Sequence, residues 1–353
     1  MYNTEIFDRN MDYVYHCFSA PETIFFDYLT LEKTTFILPP NANPYLGDYI
    51  RVTDVGTGET VYTGIISGVS RQGTVSIEAE PLQSIFNADV FFDRALLESE
   101  TLEDFIKGII VQQYQNNTDE LQNTPFITVS TTSSTTGAKL NLKDNVHNLY
   151  EIITKAFEQY GVIVSASLSL SPKALAVTIG KATATKRVIE GDSNAILSSN
   201  YVLQDTYKTL NKTTVVNKND ETQAATFYLD TDGSVTQTPA ERITPVFFSY
   251  QYIEYQSSED RTFLEAAQEA AESTLTPQEF NNLIELTAKN DSKIVPVSSI
   301  QIGDVVTVRH NGEAYDTVLT GYERSEKTTK LIFGSVRIDI TKILRMERRA
   351  LSD

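Results

Sequence analysis

Tryptophan is missing from this 353-residue chain, cysteine occurs once, and histidine occurs three times. With Cys17 alone, an intrachain disulfide and a Cys-x-x-Cys site are both excluded. His16, His147 and His310 offer no pair at the i, i+4 spacing of a helical zinc site. An excess of positive charge is also missing: 47 acidic residues against 29 basic ones leave a formal net charge of −18. Binding nucleic acid through its phosphates needs a basic face, so this balance argues against stable nucleic-acid binding. It suits solubility, or a surface from which DNA is repelled. No apolar run is long enough to span a bilayer as a helix. No basic segment followed by an apolar core and a small-residue cleavage site opens the chain. The expectation is synthesis in a cytoplasm without membrane insertion. Gly-x-Ser-x-Gly, P-loop and dinucleotide fingerprints are absent as well. No catalytic, cofactor-binding or metal-binding residue is assigned. Carboxylates are abundant, but nothing singles out a pair for glycoside cleavage.

The few reactive residues have plain readings. His16 and Cys17 are adjacent on a β-favouring run and point to opposite faces, so they do not form a nucleophile–base pair; Cys17 reads as a small buried hydrophobe. His310 precedes Asn311-Gly312, a hairpin signal. His147 sits near the start of a predicted helix, at the surface or half-buried. Asp230, Asp232, Ser234, Thr236 and Glu241 have part of a calcium-loop spacing, yet Gly233 is fourth where such a loop needs it sixth; a hairpin around Asp232-Gly233 is the better reading. Arg337, Lys342, Arg345, Arg348 and Arg349 form a basic cluster, read as the solvated face of a short helix or as a dock for an acidic neighbour. Phe247, Phe248, Tyr250, Tyr252 and Tyr255 could stack on sugars. Core packing on one face and an interface on the other explains them better.

What the chain does have is Thr, Val and Ile throughout, which favours strands. It also has a repeat. Leu46-Gly47-Asp48-Tyr49-Ile50-Arg51-Val52, a turn, and Val61-Tyr62-Thr63-Gly64 have a counterpart in Ile302-Gly303-Asp304-Val305-Val306-Thr307-Val308, a turn, and Val318-Leu319-Thr320-Gly321. A further β-rich segment comes after each copy (Thr74 to Ala79; Lys330 to Phe333). Between the copies, Thr101 with Asp104 reads as a helix cap ahead of Leu102, Phe105, Ile106, Ile109 and Ile110. A second helix is predicted over Asp144 to Tyr160, stopped by Gly161. Strands are predicted at Phe126 to Val129, Val162 to Ser167 and Ala174 to Ile179. A third helix is predicted over Ser258 to Ser273, with one more turn at Thr276-Pro277. The predicted class is α+β, mainly β. The predicted division begins with a first β-barrel at 1–95 and an α+β insert at 96–182. A mixed β and helical region at 183–279, free to interleave with the second barrel, comes next. The second barrel with a basic helix occupies 280–353.

Phe26-Asp27-Tyr28-Leu29-Thr30-Leu31-Glu32, Phe36-Ile37-Leu38-Pro39-Pro40-Asn41, the first repeat copy, the Phe227-to-Ser234 hairpin and the second Ile302-Gly303-Asp304 unit together resemble siphophage tail-tip hub proteins. This group includes the N-terminal module of tail-associated lysins and prophage tail proteins, and is similar to the central baseplate hub of contractile phages. The resemblance covers essentially the whole chain. It implies two tail-tube-like barrels per chain and a homotrimer whose six barrels form a pseudo-hexameric ring on a hexameric distal tail protein. Implied further contacts are the tape-measure protein and receptor-binding or fibre proteins, at the distal tip of a virion whose lumen passes DNA. A duplicated barrel resolves the mismatch between a six-fold tail and a three-fold tip. Gly47, Asp48, Thr63, Gly64, Gly303, Asp304, Thr320 and Gly321 mark the candidate ring-interface segments. Many relatives carry a lytic or receptor-binding extension after the second barrel. Here the sequence stops soon after that point, so the expectation is a structural hub without enzymatic activity. A cell-wall-degrading lysin and a carbohydrate-binding module are the alternatives.

Overall fold

The computed structural model describes every residue except 1, 20, 22, 94, 97–98, 139, 141, 143–144, 203–209, 231–233, 240–247, 257–261, 276–279, 296 and 338–353. The predicted C-terminal basic helix, the Thr276-Pro277 turn and the tip of the Asp232-Gly233 hairpin lie outside the described residues.

The first 81 residues are mainly a sheet because their apolar residues alternate. β4 (Thr34–Leu38), for instance, buries Thr34, Phe36 and Leu38 and exposes the residues between them. With β1 (Tyr2–Phe7), β2 (Tyr13–Ser19), β5 (Tyr49–Asp54), β6 (Thr60–Gln72) and β7 (Thr74–Pro81) it forms a six-stranded sheet, order β2-β1-β5-β6-β7-β4. Its inner face closes over Ile6, Phe36, Ile50, Val52, Ile66 and Ile77. Cys17 is buried there and His16 is exposed, as their adjacency predicts; burial pushes the thiol's pKa up.

A second sheet has the order β13-β20-β21-β22-β19-β14. Its strands are β13 (Thr183–Glu190), β14 (Ile196–Val202), β19 (Leu283–Lys289), β20 (Asp304–His310), β21 (Glu313–Arg324) and β22 (Thr328–Phe333). Strands from 183–202 and from 283–333 therefore share one sheet. Between them stands a smaller unit with the sheet order β17-β16-β15-β18. It comprises β15 (Lys212–Asn217), β16 (Asp220–Leu229), β17 (Val235–Thr236) and β18 (Phe248–Ile253), covered by helix α3 (Phe263–Leu275). The alanines of α3 (Ala267, Ala270, Ala271) let it lie close on Val215 and Phe227. The aromatic alternation on β18 resolves with Phe248, Tyr250 and Tyr252 outward and exposed; Ser249, Gln251 and Ile253 occupy the alternate positions. Phe247 lies outside the described residues.

The insert combines helices and strands. β8 (Asp89–Phe91) pairs with β10 (Val146–Asn148), while β9 (Ile127–Thr131), β11 (Val162–Leu170) and β12 (Lys173–Lys181) form a sheet in the order β11-β12-β9. Helix α1 (Leu102–Ile110) starts where Thr101 accepts the Asp104 amide, as its capping sequence predicts. Helix α2 (Leu149–Tyr160) ends at Gly161 in the left-handed conformation, φ 66°. It begins five residues later than Asp144, because Val146–Asn148 is taken up as a strand and Asn148 provides the cap, accepting the Tyr150 and Glu151 amides. His147 is therefore on β10, directly before the helix cap and half-buried against the Phe92 ring, as expected for a residue near the helix start.

Glu103, fully buried in the first turn of α1, holds the neighbouring loop. It accepts from Ser133 Oγ (2.5 Å), Thr135 Oγ1 (2.8 Å) and the Thr135 amide (2.7 Å). Burial alone would raise its pKa, but these hydrogen bonds outweigh it and hold the carboxyl below the ordinary range. A depressed carboxyl pKa contributes stability that is full above the unfolded-state value and lost as pH falls through the folded-state value. Glu103→Gln is expected to cost about 1–3 kcal/mol near neutral pH in urea unfolding. The gap from wild type should shrink as the pH drops below the ordinary glutamate range; a gap independent of pH would contradict this assignment.

Candidate assembly interface

Asp48 and Asp304 do the same thing in the two halves. Each carboxylate oxygen Oδ2 accepts the amide of the residue three positions earlier, Tyr45 at 2.8 Å and Gln301 at 3.0 Å. Each aspartate amide returns a bond to that residue's carbonyl, at 3.2 and 3.0 Å. The glycine before each has a positive φ, 86° at Gly47 and 93° at Gly303, a conformation that a side chain would strain. Its amide binds the neighbouring strand, Gly47 to Ile66 O at 2.8 Å and Gly303 to Leu319 O at 2.9 Å. Burial pushes the Asp48 carboxyl up, against the bond from Tyr45.

From these turns the two antiparallel strand pairs run in matching registers. Tyr49 faces Ile65 and Val305 faces Val318; a β-bulge then separates Ile66 from Gly68, and Leu319 from Gly321. β7 and β22 come next, with Ala79 opposite Ile66 and Phe333 opposite Leu319. β4 and β19 close each set, Thr34 opposite Ala79 and Ile284 opposite Phe333. The shared unit is a set of four strands, β5-β6-β7-β4 and β20-β21-β22-β19. The flanks differ. β1 runs antiparallel to β5, whereas β13 runs parallel to β20.

This corrects one alignment. The Val-x-Thr-Gly tetrads 61–64 and 318–321 are not structural equivalents: Gly321 matches Gly68, and Gly64 matches Thr317. The reason is local crowding. Gly321 lies under the β3 (Ile24–Asp27) backbone, where an added Cβ would meet Phe26 O at 2.8 Å; Gly64 lies beneath Glu80 O and the Tyr62 ring. Similar tetrads thus answer different close approaches.

The eight marked residues do not form one surface. Gly47, Asp48, Gly303 and Asp304 shape the two turns, and Thr63 is half-buried opposite Arg51. Thr320 and Gly321 are buried in a seam inside the chain, where the halves meet. There, β3 pairs with β21, Gly321 opposite Asp27 through Arg324 opposite Ile24. Phe26 stacks on Tyr322 at 5.6 Å, Tyr322 Oη donates to Val61 O, and Arg324 meets Asp54 at 3.0 Å. Arg337 is not on a solvated face. Its guanidinium holds buried Asp27 through two bonds of 2.7 and 2.9 Å and donates to Thr320 Oγ1 at 2.7 Å. The other four residues of the basic cluster lie outside the described residues.

Sequence reasoning missed Tyr28, the residue directly after β3. Its amide donates to Thr320 O of the second sheet at 2.8 Å, and its hydroxyl accepts the Val164 amide of the insert at 2.9 Å. Its carbonyl accepts from Tyr150 Oη of α2 at 2.5 Å, and its ring meets Phe157 edge-on at 5.3 Å. The largest core accordingly runs from Phe7, Tyr28 and Tyr49 through the insert to Val318. A tyrosine in an apolar run carries no signal of its partners; only its neighbour Asp27, charged within Phe25-Phe26-Asp27-Tyr28, hinted at a buried polar seam.

No family model matches the chain, and no curated protein does. Solved structures do. The chain is similar to a component of the P2 virion baseplate in its activated conformation (12% identity, 96% of this chain and 100% of that one, TM-score 0.53). It is similar to the 43 kDa tail protein of prophage MuSo2 from Shewanella oneidensis (13% identity, 95% and 98% covered, TM-score 0.54). It is also similar to prophage tail protein gp18 from Listeria monocytogenes EGD-e (12% identity, 99% and 100% covered, TM-score 0.52). The whole-chain fold is that of phage baseplate and prophage tail proteins.

Proposed function

We propose that the chain is a structural hub of a phage tail tip or baseplate, without enzymatic activity of its own. Three copies would assemble so that the duplicated four-stranded units alternate around an axis as a pseudo-hexamer, each unit part of a tail-tube-like barrel. Such a ring presents six similar surfaces to a six-fold distal tail protein and three identical ones to the tip. Tape-measure and receptor-binding or fibre proteins would be its further partners, with DNA crossing the lumen under repulsion from the acidic chain. The observation that carries this reading is the duplication: matched Gly-Asp turns, matched bulges and matched registers in two units of one chain.

The test is the absolute mass by light scattering over a concentration series, alone and with purified tail-tube rings. The expected particle has three times the mass of the chain. A monomer or dimer under both conditions would overturn the reading. Host-carbohydrate recognition is a second reading, favoured by the exposed Phe248, Tyr250 and Tyr252 on β18.

A further inference from the structure

The two related units differ most in the edge they offer after the bulge. In the second unit, Gly321 to Arg324 of β21 pair with β22 on one side and with β3 on the other. The matching residues of the first unit are Gly68 to Arg71 of β6. They pair with β7 on one side, and among the described residues no strand pairs with the other, since β5 reaches only to Ile65. Burial tracks the difference. Gly321 is buried and the three residues after it are half-buried, whereas Gly68 and Val69 are half-buried and Ser70 and Arg71 are exposed.

We infer that Gly68–Arg71 of β6 is a strand-acceptor edge filled by a strand from a second copy of this chain, as β3 fills the matching edge within the chain. The inference rests on the ring reading above. An open strand edge carries unpaired amides and carbonyls that template another strand. Here the template for the occupant is inside the molecule, because a first unit already caps a second unit in this way. In an alternating ring every first unit also meets the second unit of a neighbouring chain, and this edge is the one left for it.

The surroundings suit a docked strand. Pro44, Tyr45 and Leu46 line a groove with Ser67, Gly68 and Val69, and Tyr45 and Leu46 are 62% and 56% exposed. In the corresponding turn of the second unit Gln301 is exposed, but Gly303 is buried with Ile163 against it, and Ile302 packs into two cores. Arg71 occupies the place of Arg324, which meets Asp54 across the intrachain seam. In the free chain Arg71 is held by Asn43 Oδ1 at 3.1 Å and Pro44 O at 2.9 Å.

Amide hydrogen exchange of the full chain, dilute and assembled, tests this with a built-in control. Amides of 321–324 should be equally protected in both states, and those of 68–71 should slow at least tenfold on assembly. Val69→Pro and Ser70→Pro supply the second measurement. Adjacent strand residues turn their N–H groups to opposite edges, so one variant leaves the β6–β7 ladder whole. That variant should keep the melting temperature of the dilute chain and weaken association at least tenfold. Trimers whose 68–71 amides exchange as in the dilute chain would overturn the edge and leave the ring standing. A chain that does not associate, alone or on tail-tube rings, would overturn both.

Discussion

Tyr28→Ala is expected to cost about 3–5 kcal/mol of unfolding free energy, the range for deleting a fully buried large side chain. Tyr28 is 1% exposed and joins the first sheet, the insert and the second sheet. Removing it opens a cavity against Phe157 and leaves the Val164 amide without its acceptor. Tyr28→Phe separates the two effects: the ring stays, the amide is orphaned, and the expected loss is about 1–3 kcal/mol. Urea unfolding followed by far-ultraviolet circular dichroism measures both. An alanine variant within 1 kcal/mol of wild type, a margin set well below the ~3 kcal/mol floor for such deletions, would show that the three parts hold together without it.

Asp27→Ala is expected to cost as much for a different reason. It strands the Arg337 guanidinium in the seam, and an unpaired charge in a buried pair typically costs about 3–5 kcal/mol. The side chains are 8% and 19% exposed, so water replaces the partner poorly. Asp27 also accepts the Leu29 amide at 2.9 Å, which fixes the turn leading to Tyr28 and Leu31. The double variant Asp27→Ala with Arg337→Ala should lose clearly less than the sum of the single losses, because neither charge is then left alone. Additive losses in the same unfolding experiment would remove the pair from the account of the seam.

The parts of this fold legible in the sequence were those set by neighbours along the chain. Capping residues placed the start of α1, Gly161 ended α2, and Asn311-Gly312 made the β20–β21 turn, with φ of 53° and 83°. The Leu/Ile-Gly-Asp landmark proved to be one turn used twice. What the sequence hid was set by contacts across hundreds of residues. The bulge that matches Gly68 to Gly321 is a property of pairing with β7 and β22, whereas the recurring Thr-Gly pair in the sequence points to Gly64 instead. Arg337 looked like part of a basic run, and only the approach of β3 to β21 reveals that it faces Asp27. The start of α2 was misplaced because β8, more than fifty residues earlier, claims Val146–Asn148 as a strand.

The central claim is that the two four-stranded units hold equivalent places in a ring of three chains. Electron microscopy of the assembled protein, averaged without imposed symmetry, tests it most directly. The account predicts a ring with exact three-fold symmetry and six similar densities at one radius, alternating between the first and second units. A closed dimer, or a trimer with the two units at different radii, would contradict it.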